Sequence, residues 1–472
     1  MCFTWHNSGA SPHARFSDEE FEKYVPIDFL TEAMDQTRGW ANTLLLEHVI
    51  LTGKSQAPYR AFLFQGLTQD AKGRKMSKSL GNVLEANKTL EKYSADVCRF
   101  YMLRKCSPID SNDFDVQELT RRPYQVLSTL YHLSRFLVQN AEFDGFSPDK
   151  HTLEWAERQS LLRKADFWLL SKLQETIENY TRKLETCEFN FALAVLEDYV
   201  IEVVSRLYVP MVRKELWTDD PETLNRRLAI YATLWHVLKN VTLLFNPVTP
   251  YLSETLYQKV YKKLDPSLAK SVNFESWPEP DKRLRSQIME EEFQTLFKVV
   301  SLVYAARQTA KLKRRWPLSK MVVVVPERVR DVLKSVEDLC LELSNVKTIE
   351  YAEEPSDYAS LEGWVSAVEG DWQVFLRSQR EEGLLGEGLM RDLARRVQAL
   401  RKELGYVPTD VLQGVHLADL DDESIKLLQP YRGQMAELVR AKTVYLHRSR
   451  GEFKSDWHET QLDDKKVYVA IV

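Results

Sequence analysis

The chain has 472 residues, room for roughly three domains at about 100–200 residues each, and its 44% hydrophobic and 28% charged residues are an ordinary globular balance. Lys plus Arg number 64 against 69 Asp plus Glu; the net charge of −5 excludes a globally basic nucleic-acid coat but leaves room for a local basic face. The longest conspicuous apolar run, Met321 to Val325, falls far short of the ~20 residues of a membrane span, so no membrane partner is expected.

The start, Met1-Cys2-Phe3-Thr4-Trp5-His6, has no basic stretch and no apolar one, so no signal peptide is expected. Cys2, Cys98, Cys106, Cys187 and Cys340 form no C-x-x-C pair. That argues against a disulfide framework and a zinc site, and fits a reducing cytoplasm.

In chain order, residues 1 to about 105 read as mixed α/β. Arg60-Ala61-Phe62-Leu63-Phe64 predicts a short buried strand before Gly66. A loop rich in Gly and Lys runs from Asp70 to Asn82, and then Leu90, Tyr93, Val97 and Tyr101 recur at helical spacing. This alternation predicts part of a doubly wound sheet. Residues about 117–315 read as almost pure helix, with apolar stripes through Val126, Leu130 and Leu137, through Trp168, Leu173 and Ile177, through Leu193, Leu196 and Val200, and through Leu228, Leu234 and Leu238. Asn246-Pro247 and Thr249-Pro250 interrupt the pattern, and a further helix is expected over about 286–313. Antiparallel helices so connected make a bundle. Residues about 316–472 change character: Lys320 to Pro326 is strand-like, helices follow near 327–345 and 385–404, and Val467 to Ile471 reads as a terminal strand. They predict a small α/β appendage.

The chemistry concentrates in Lys75-Met76-Ser77-Lys78-Ser79. Two ammonium groups three positions apart, flanked by Gly73 and Gly81, can reach one polyanion while the glycines let the loop close over it. Lysine is a compact point charge suited to phosphate, and nucleotidyl transfer needs such charge as pyrophosphate leaves. On its own a lysine-rich loop is ordinarily a solvated surface turn; the full string singles this one out.

That K-M-S-K-S string is similar to the second signature of the class I aminoacyl-tRNA synthetases. Thr31-Glu32-Ala33-Met34-Asp35-Gln36-Thr37-Arg38-Gly39-Trp40 resembles the E-G-x-D-Q-T-R-G-W segment of their isoleucine branch. Lys92-Tyr93-Ser94-Ala95-Asp96-Val97-Cys98-Arg99-Phe100 resembles the helix after the lysine loop. Arg206-Leu207-Tyr208 through Trp217, and Asn246 through Tyr251, resemble the anticodon-binding bundle, and Arg314-Arg315-Trp316-Pro317-Leu318 the link beyond it.

The resemblance implies a partial Rossmann-type catalytic domain over 1–116, an all-α anticodon-binding bundle over 117–315 and a small C-terminal α/β domain over 316–472. It implies joining isoleucine to its tRNA through an adenylate, in the cytoplasm, with ATP and Mg2+. Lys78 would neutralise the phosphates in the transition state and Lys75 would assist, while Met76 and Ser77 would shape the loop around ATP. Glu32 would accept from the substrate ammonium or the adenylate. Asp35 and Gln36 would bind the aminoacyl-adenylate. Trp40 would wall an isoleucine pocket with Trp5, from a segment resembling W-F-D-S-G. Such a pocket separates one methylene by only about 1–3 kcal/mol. Arg182, Lys183, Arg206, Arg213 and Lys214, interleaved with Tyr208 and Trp217, would face tRNA, and the run from Lys311 to Arg315 is a further basic candidate. Asp96 reads as a structural acid near a helix start.

The chain departs from the family pattern at His6 and Asn7, at Ala33 and at Ser94, where the family has Phe and Asp, Gly, and Gly. No two of its nine histidines flank a glycine in an H-x-G-H pattern, and no editing segment is visible. The expectation is therefore a C-terminal half of such an enzyme, inactive alone: a gene fragment, one piece of a split enzyme with a separate N-terminal half as partner, or a truncated gene model. The competing readings are a non-catalytic tRNA-binding module and a synthetase for valine or leucine.

Overall fold

The computed structural model describes residues 4–216, 220–353, 358, 362–379, 382–407, 410–462 and 465–472, so Cys2 and Trp217 lie outside the described residues. The chain is mostly helical with small sheets.

Strands β1 (Ile27–Ala33) and β2 (Tyr59–Gln65) pair in parallel, Ile27 opposite Tyr59 and Ala33 opposite Gln65. The chain returns between them through helix Trp40–Thr52, as parallel pairing requires. A second parallel pair joins β3 (Thr68–Asp70) to β4 (Asn112–Phe114). The doubly wound sheet expected here is represented by these two separate pairs. The helical run around residues 90–101 is split at Ser94, whose φ of +66° lies in the region that suits glycine. Helix Ala86–Tyr93 stops there, and helix Ala95–Lys105 starts with the Ser94 hydroxyl accepting from the Val97 N–H at 3.5 Å.

Helices Arg122–Phe143, Lys164–Glu185, Leu224–Phe245 and Gln287–Thr309 form a bundle with a run that continues through Phe189–Asp198, Tyr199–Tyr208 and Val209–Leu216. The apolar stripes meet inside: Val126, Leu130, Leu173, Ile177, Leu196, Leu234 and Leu238 all lie in one buried cluster. The 224–245 helix ends before Asn246-Pro247. By length and composition the stretch Pro221–Phe245 could cross a membrane, but 78% of its apolar window is buried inside the protein, which marks a core helix. Near the start of helix Lys164–Glu185 sits a buried polar knot. Asp166 accepts from the Tyr208 hydroxyl at 2.6 Å, the Arg226 guanidinium at 2.6 Å and the Arg163 N–H at 2.7 Å.

The last third holds two four-stranded mixed sheets. The first has the order β6-β5-β8-β7, from β5 (Leu318–Val324), β6 (Val346–Ala352), β7 (Trp364–Glu369) and β8 (Trp372–Arg377). Its inner residues Met321, Val323, Val374 and Leu376 continue the bundle's own core. The second has the order β10-β9-β12-β11, from β9 (Val415–Ala418), β10 (Val444–Leu446), β11 (His458–Leu462) and β12 (Lys465–Ile471). It shares a separate core with Met390, Leu393 and Val397 of helix Glu382–Glu403. Buried Arg307 ties the bundle to the first sheet. Its guanidinium donates to the carbonyls of Lys313, Trp316, Ser344 and Asn345 at 2.9–3.2 Å, and burial pulls its pKa down to about 10.

Candidate functional site

In open α/β folds ligands bind beyond the carboxyl ends of parallel strands. The two segments singled out from sequence leave strands at that end, the Glu32 segment at the end of β1 and the lysine loop at the end of β3, in separate strand pairs. Glu32, next to last in β1, stands opposite Phe64 of β2. It is exposed, with no hydrogen-bond or ion-pair partner among the described residues. The chain then tightens into the turn Met34–Arg38 before helix Trp40–Thr52. Asp35 is exposed and accepts from the Gln36 side-chain NH2 at 3.3 Å, while the Gln36 side-chain Oε1 accepts the Trp40 N–H at 3.3 Å and so caps that helix. Trp40 is held from two sides. Its indole N–H donates to the Ser8 carbonyl at 2.8 Å, and its ring meets Phe62 edge-on at 6.0 Å, next to Phe64 stacked on Phe62 at 4.5 Å.

Trp5, Gln36 and Trp40 gather around Gly39, where a Cβ would lie 2.7 Å from Gln36 Oε1 and 3.3 Å from the Trp5 ring. Trp5 remains half exposed. Of the departures, His6 bonds Glu47 at 2.8 Å, and Asn7 is exposed.

The lysine loop is an organised structure. β3 ends in Asp70, whose carboxylate accepts five donors at 2.7–3.0 Å: the N–H groups of Lys72 and Arg74, two guanidinium N–H groups of Arg74 and the Asn82 amide. Those bonds, the Asn82 amide first and the Arg74 guanidinium next, hold its pKa well below the usual carboxylate range. The turn closes through Gly73 at φ +71°. Asn82 then reaches across the loop. Its amide oxygen accepts the Ser77 N–H at 2.9 Å, and its NH2 donates to Asp70 at 2.9 Å and to the Lys75 carbonyl at 3.2 Å. Ser77 and Ser79 hydroxyls bond each other at 2.6 Å, and Met76 packs inward against the main core. Lys75 and Lys78 are exposed, and neither has a carboxylate partner among the described residues. The arrangement presents Lys75 and Lys78, with exposed Lys72 nearby, as unneutralised ammonium groups on an ordered turn.

Met76 also lines a cavity of about 610 Å³ with Leu84, Leu90, Cys98, Met102 and Tyr251. Glu32, Asp35, Gln36, Trp40, Trp5 and Lys78 do not line it. Of the residues singled out from sequence for the site, Met76 lines it. Buried Asp96 accepts the N–H groups of Leu252 at 2.6 Å and Tyr251 at 3.4 Å, capping helix Pro250–Leu256 from another part of the chain. Arg99 donates to the carbonyls of Val248 and Pro247 at 2.8 and 2.9 Å. Burial raises the Asp96 pKa and these amides offset part of the rise. The helix after the lysine loop is thereby bonded to the bundle.

The basic residues of the bundle are less free than their sequence suggests. Tyr208 is fully buried on Asp166 and faces no solvent. Arg206 pairs with Glu202, Lys183 with Glu188 and Lys214 with Glu342, while Arg182 bonds Asn179. Lys313 and Arg315 both approach buried Asp392, and Arg314 stacks on Tyr304 at 3.9 Å. Sequence reading passed over Asp70 and Asn82, although Asp-x-x-Gly is a turn signal that could have pointed to the first.

Residues 2–115 match the family described as tRNA synthetases class I (I, L, M and V), and residues 166–322 match the anticodon-binding domain of tRNA ligase. The isoleucine–tRNA ligase of Pyrobaculum aerophilum is 34% identical over 477 residues, covering 99% of this chain and 45% of that protein. That of Methanothermobacter thermautotrophicus is 34% identical over 360 residues, 75% of this chain and 33% of that protein, and that of Porphyromonas gingivalis 27% over 540 residues, 99% and 46%. This chain spans about half the length of the curated relatives it matches. Among solved structures, the LeuRS ternary complex with tRNA and LeuAMS from Agrobacterium radiobacter is similar with a TM-score of 0.47 at 19% identity, over 60% of this chain and 33% of that one. Mycobacterium tuberculosis methionyl-tRNA synthetase in complex with methionyl-adenylate gives 0.44 at 18%, over 57% and 52%.

Proposed function

Because this chain belongs to the class I tRNA synthetases, as a partial sequence of the isoleucyl-tRNA synthetase kind, we propose that it supplies the lysine-loop half of an isoleucine–tRNA ligase site and the bundle that docks the tRNA. The observation that carries this is the pinned turn that offers Lys75 and Lys78, two ammonium groups without carboxylate partners among the described residues, beyond the carboxyl end of β3 in the parallel β3–β4 pair.

In this reading residues 1–116 are part of a Rossmann-type catalytic domain, 117–315 the anticodon-binding bundle and 316–472 a C-terminal appendage. Lys78 and Lys75 stabilise charge developing on the triphosphate of ATP, whose magnesium ion shares that load. Met76 and Ser77 shape the loop. Glu32, Asp35 and Gln36 bind the polar parts of isoleucyl-adenylate, and Trp40 and Trp5 flank its aliphatic side chain. The reaction is one of positioning and electrostatics, with no covalent bond to the protein. It takes place in the cytoplasm.

A complementary N-terminal polypeptide completes the site. Helix Trp40–Thr52 leaves Leu46, Ile50 and Leu51 exposed, and β1 leaves Phe29 exposed, an apolar surface that a second half would cover.

The test is isoleucine-dependent ATP–pyrophosphate exchange. This chain alone is expected to give none. Added to the N-terminal half of a relative it restores exchange, and Lys78→Ala then lowers the rate about 100- to 1,000-fold with tRNA binding nearly unchanged. Equal loss of exchange and tRNA binding would overturn the role given to the loop, and no restoration with tRNA binding intact would support a binding module instead.

A further inference from the structure

We propose that Asp70 and Asn82 are positioning residues that lock the lysine loop into its phosphate-binding conformation, an inference that takes its functional meaning from the reading above. Asp70 belongs to the sheet: it ends β3 opposite Phe114 of β4. Asn82 lies beyond the loop, after Lys78–Leu80 and Gly81, which turns at φ +64°. One hydrogen bond of 2.9 Å between them closes the segment that carries both lysines.

The chemistry of the closure is specific. On one side Asn82 faces two acceptors, the Asp70 carboxylate and the Lys75 carbonyl; on the other it faces one donor, the Ser77 N–H. Only a primary amide matches that set, because a carboxylate would oppose two acceptors with a third. The backbone on both sides of Met76 is thus bonded to one side chain, while Met76 itself is packed into the core. With Lys75 and Ser77 held and Met76 inserted, the Lys75 and Lys78 Cα atoms leave the turn in a defined geometry. Only their flexible four-carbon stems remain to be ordered by a ligand. Pre-ordering the backbone in this way removes an entropic cost from the bound state.

The Asp70 carboxylate has every acceptor site engaged, so its charge serves the turn and not a ligand. It also neutralises Arg74, which leaves Lys72, Lys75 and Lys78 as the loop's outward cations among the described residues.

Asn82→Ala, Asn82→Asp and the exchanged pair Asp70→Asn with Asn82→Asp test this in the full chain. Tryptic cleavage after Lys75 and Lys78 is expected to quicken at least tenfold in both single variants, with the urea midpoint of the bundle unmoved. The exchanged pair restores one amide–carboxylate bond and should bring cleavage back part of the way. In the complemented enzyme the single variants lower kcat of pyrophosphate exchange at least tenfold and leave the KM for isoleucine within twofold. Cleavage within twofold of the parent in Asn82→Ala overturns the clamp. Faster cleavage with unchanged exchange kinetics overturns its positioning role. If the unsubstituted complemented protein shows no exchange, the ligase reading fails, and the cleavage comparison still decides the clamp.

Discussion

Strand β2 and helix Leu224–Phe245 are comparably apolar, yet they come to different ends. β2 reads Tyr-Arg-Ala-Phe-Leu-Phe-Gln, a run suited to burial on both faces, and none of its residues is buried. The helix buries Leu228, Ile230, Leu234, Val237, Leu238 and Leu244 to 5% exposure or less. The strand pair packs against one crossover helix that is itself apolar on its outer face; the helix is surrounded by other helices of the same chain. An apolar segment therefore states what it needs, and only its neighbours decide whether the need is met. The bundle meets it internally. The strand pair leaves it unmet within this chain's described residues.

The contrast is broken most forcefully at the polar knot. Asp166 is wholly buried, so Asp166→Ala leaves the Arg226 guanidinium and the Tyr208 hydroxyl short of a partner. We expect a loss of about 3–5 kcal/mol in urea unfolding of the bundle, against under about 0.5 kcal/mol for the exposed Ile50→Ser. A bundle that tolerates Asp166→Ala would mean that the two regions do not differ in the way described.

Acid offers the next largest effect. Burial lowers the His236 pKa from 6.5 to about 4, with Glu154 and Asp281 opposing and Lys239 assisting. The unfolded chain takes up this proton below about pH 6.5 but the folded chain only below about 4, so stability is full above the upper value and falls across that window. The shift corresponds to a loss on the order of 3 kcal/mol. Burial also lowers His48, His151 and His416, which adds in the same direction. His236→Gln should flatten the urea midpoint between pH 6.5 and 4.

Two smaller changes sharpen the junction between the regions. Asp96→Ala removes the cap shared by Tyr251 and Leu252 and should cost about 1–2 kcal/mol, with faster hydrogen exchange in helix Pro250–Leu256. Ser94→Gly relieves a φ of +66° at the loss of a cap bond as long as 3.5 Å, so relief should win and raise stability by about 1 kcal/mol in thermal unfolding.

The bundle was legible because its stripes repeat at helical spacing and bury in one another: Leu130, Leu173 and Leu234 lie where their periodicity puts them. The lysine loop was legible as a string, since Lys75 to Ser79 is contiguous. The clamp that shapes it was not, because Asp70 and Asn82 stand twelve positions apart and neither carries periodicity. Tyr208 misled for a related reason: beside Arg206 it reads as a surface aromatic, but the helix turns it onto Asp166, 42 residues away.

Local rules thus determine the helices, their ends at Pro247 and Gly53, and the charge placed at positions 75 and 78. Helix formation and turn chemistry depend on residues within a few positions of one another, and a sequence displays those directly. Tertiary structure alone decided that Asp96 caps a helix begun at Pro250, that Arg307 joins bundle to sheet, and that the last 157 residues divide among the bundle's core and two clusters of their own. Those outcomes rest on burial and hydrogen bonds between distant residues, and such partners exist only once the chain has folded.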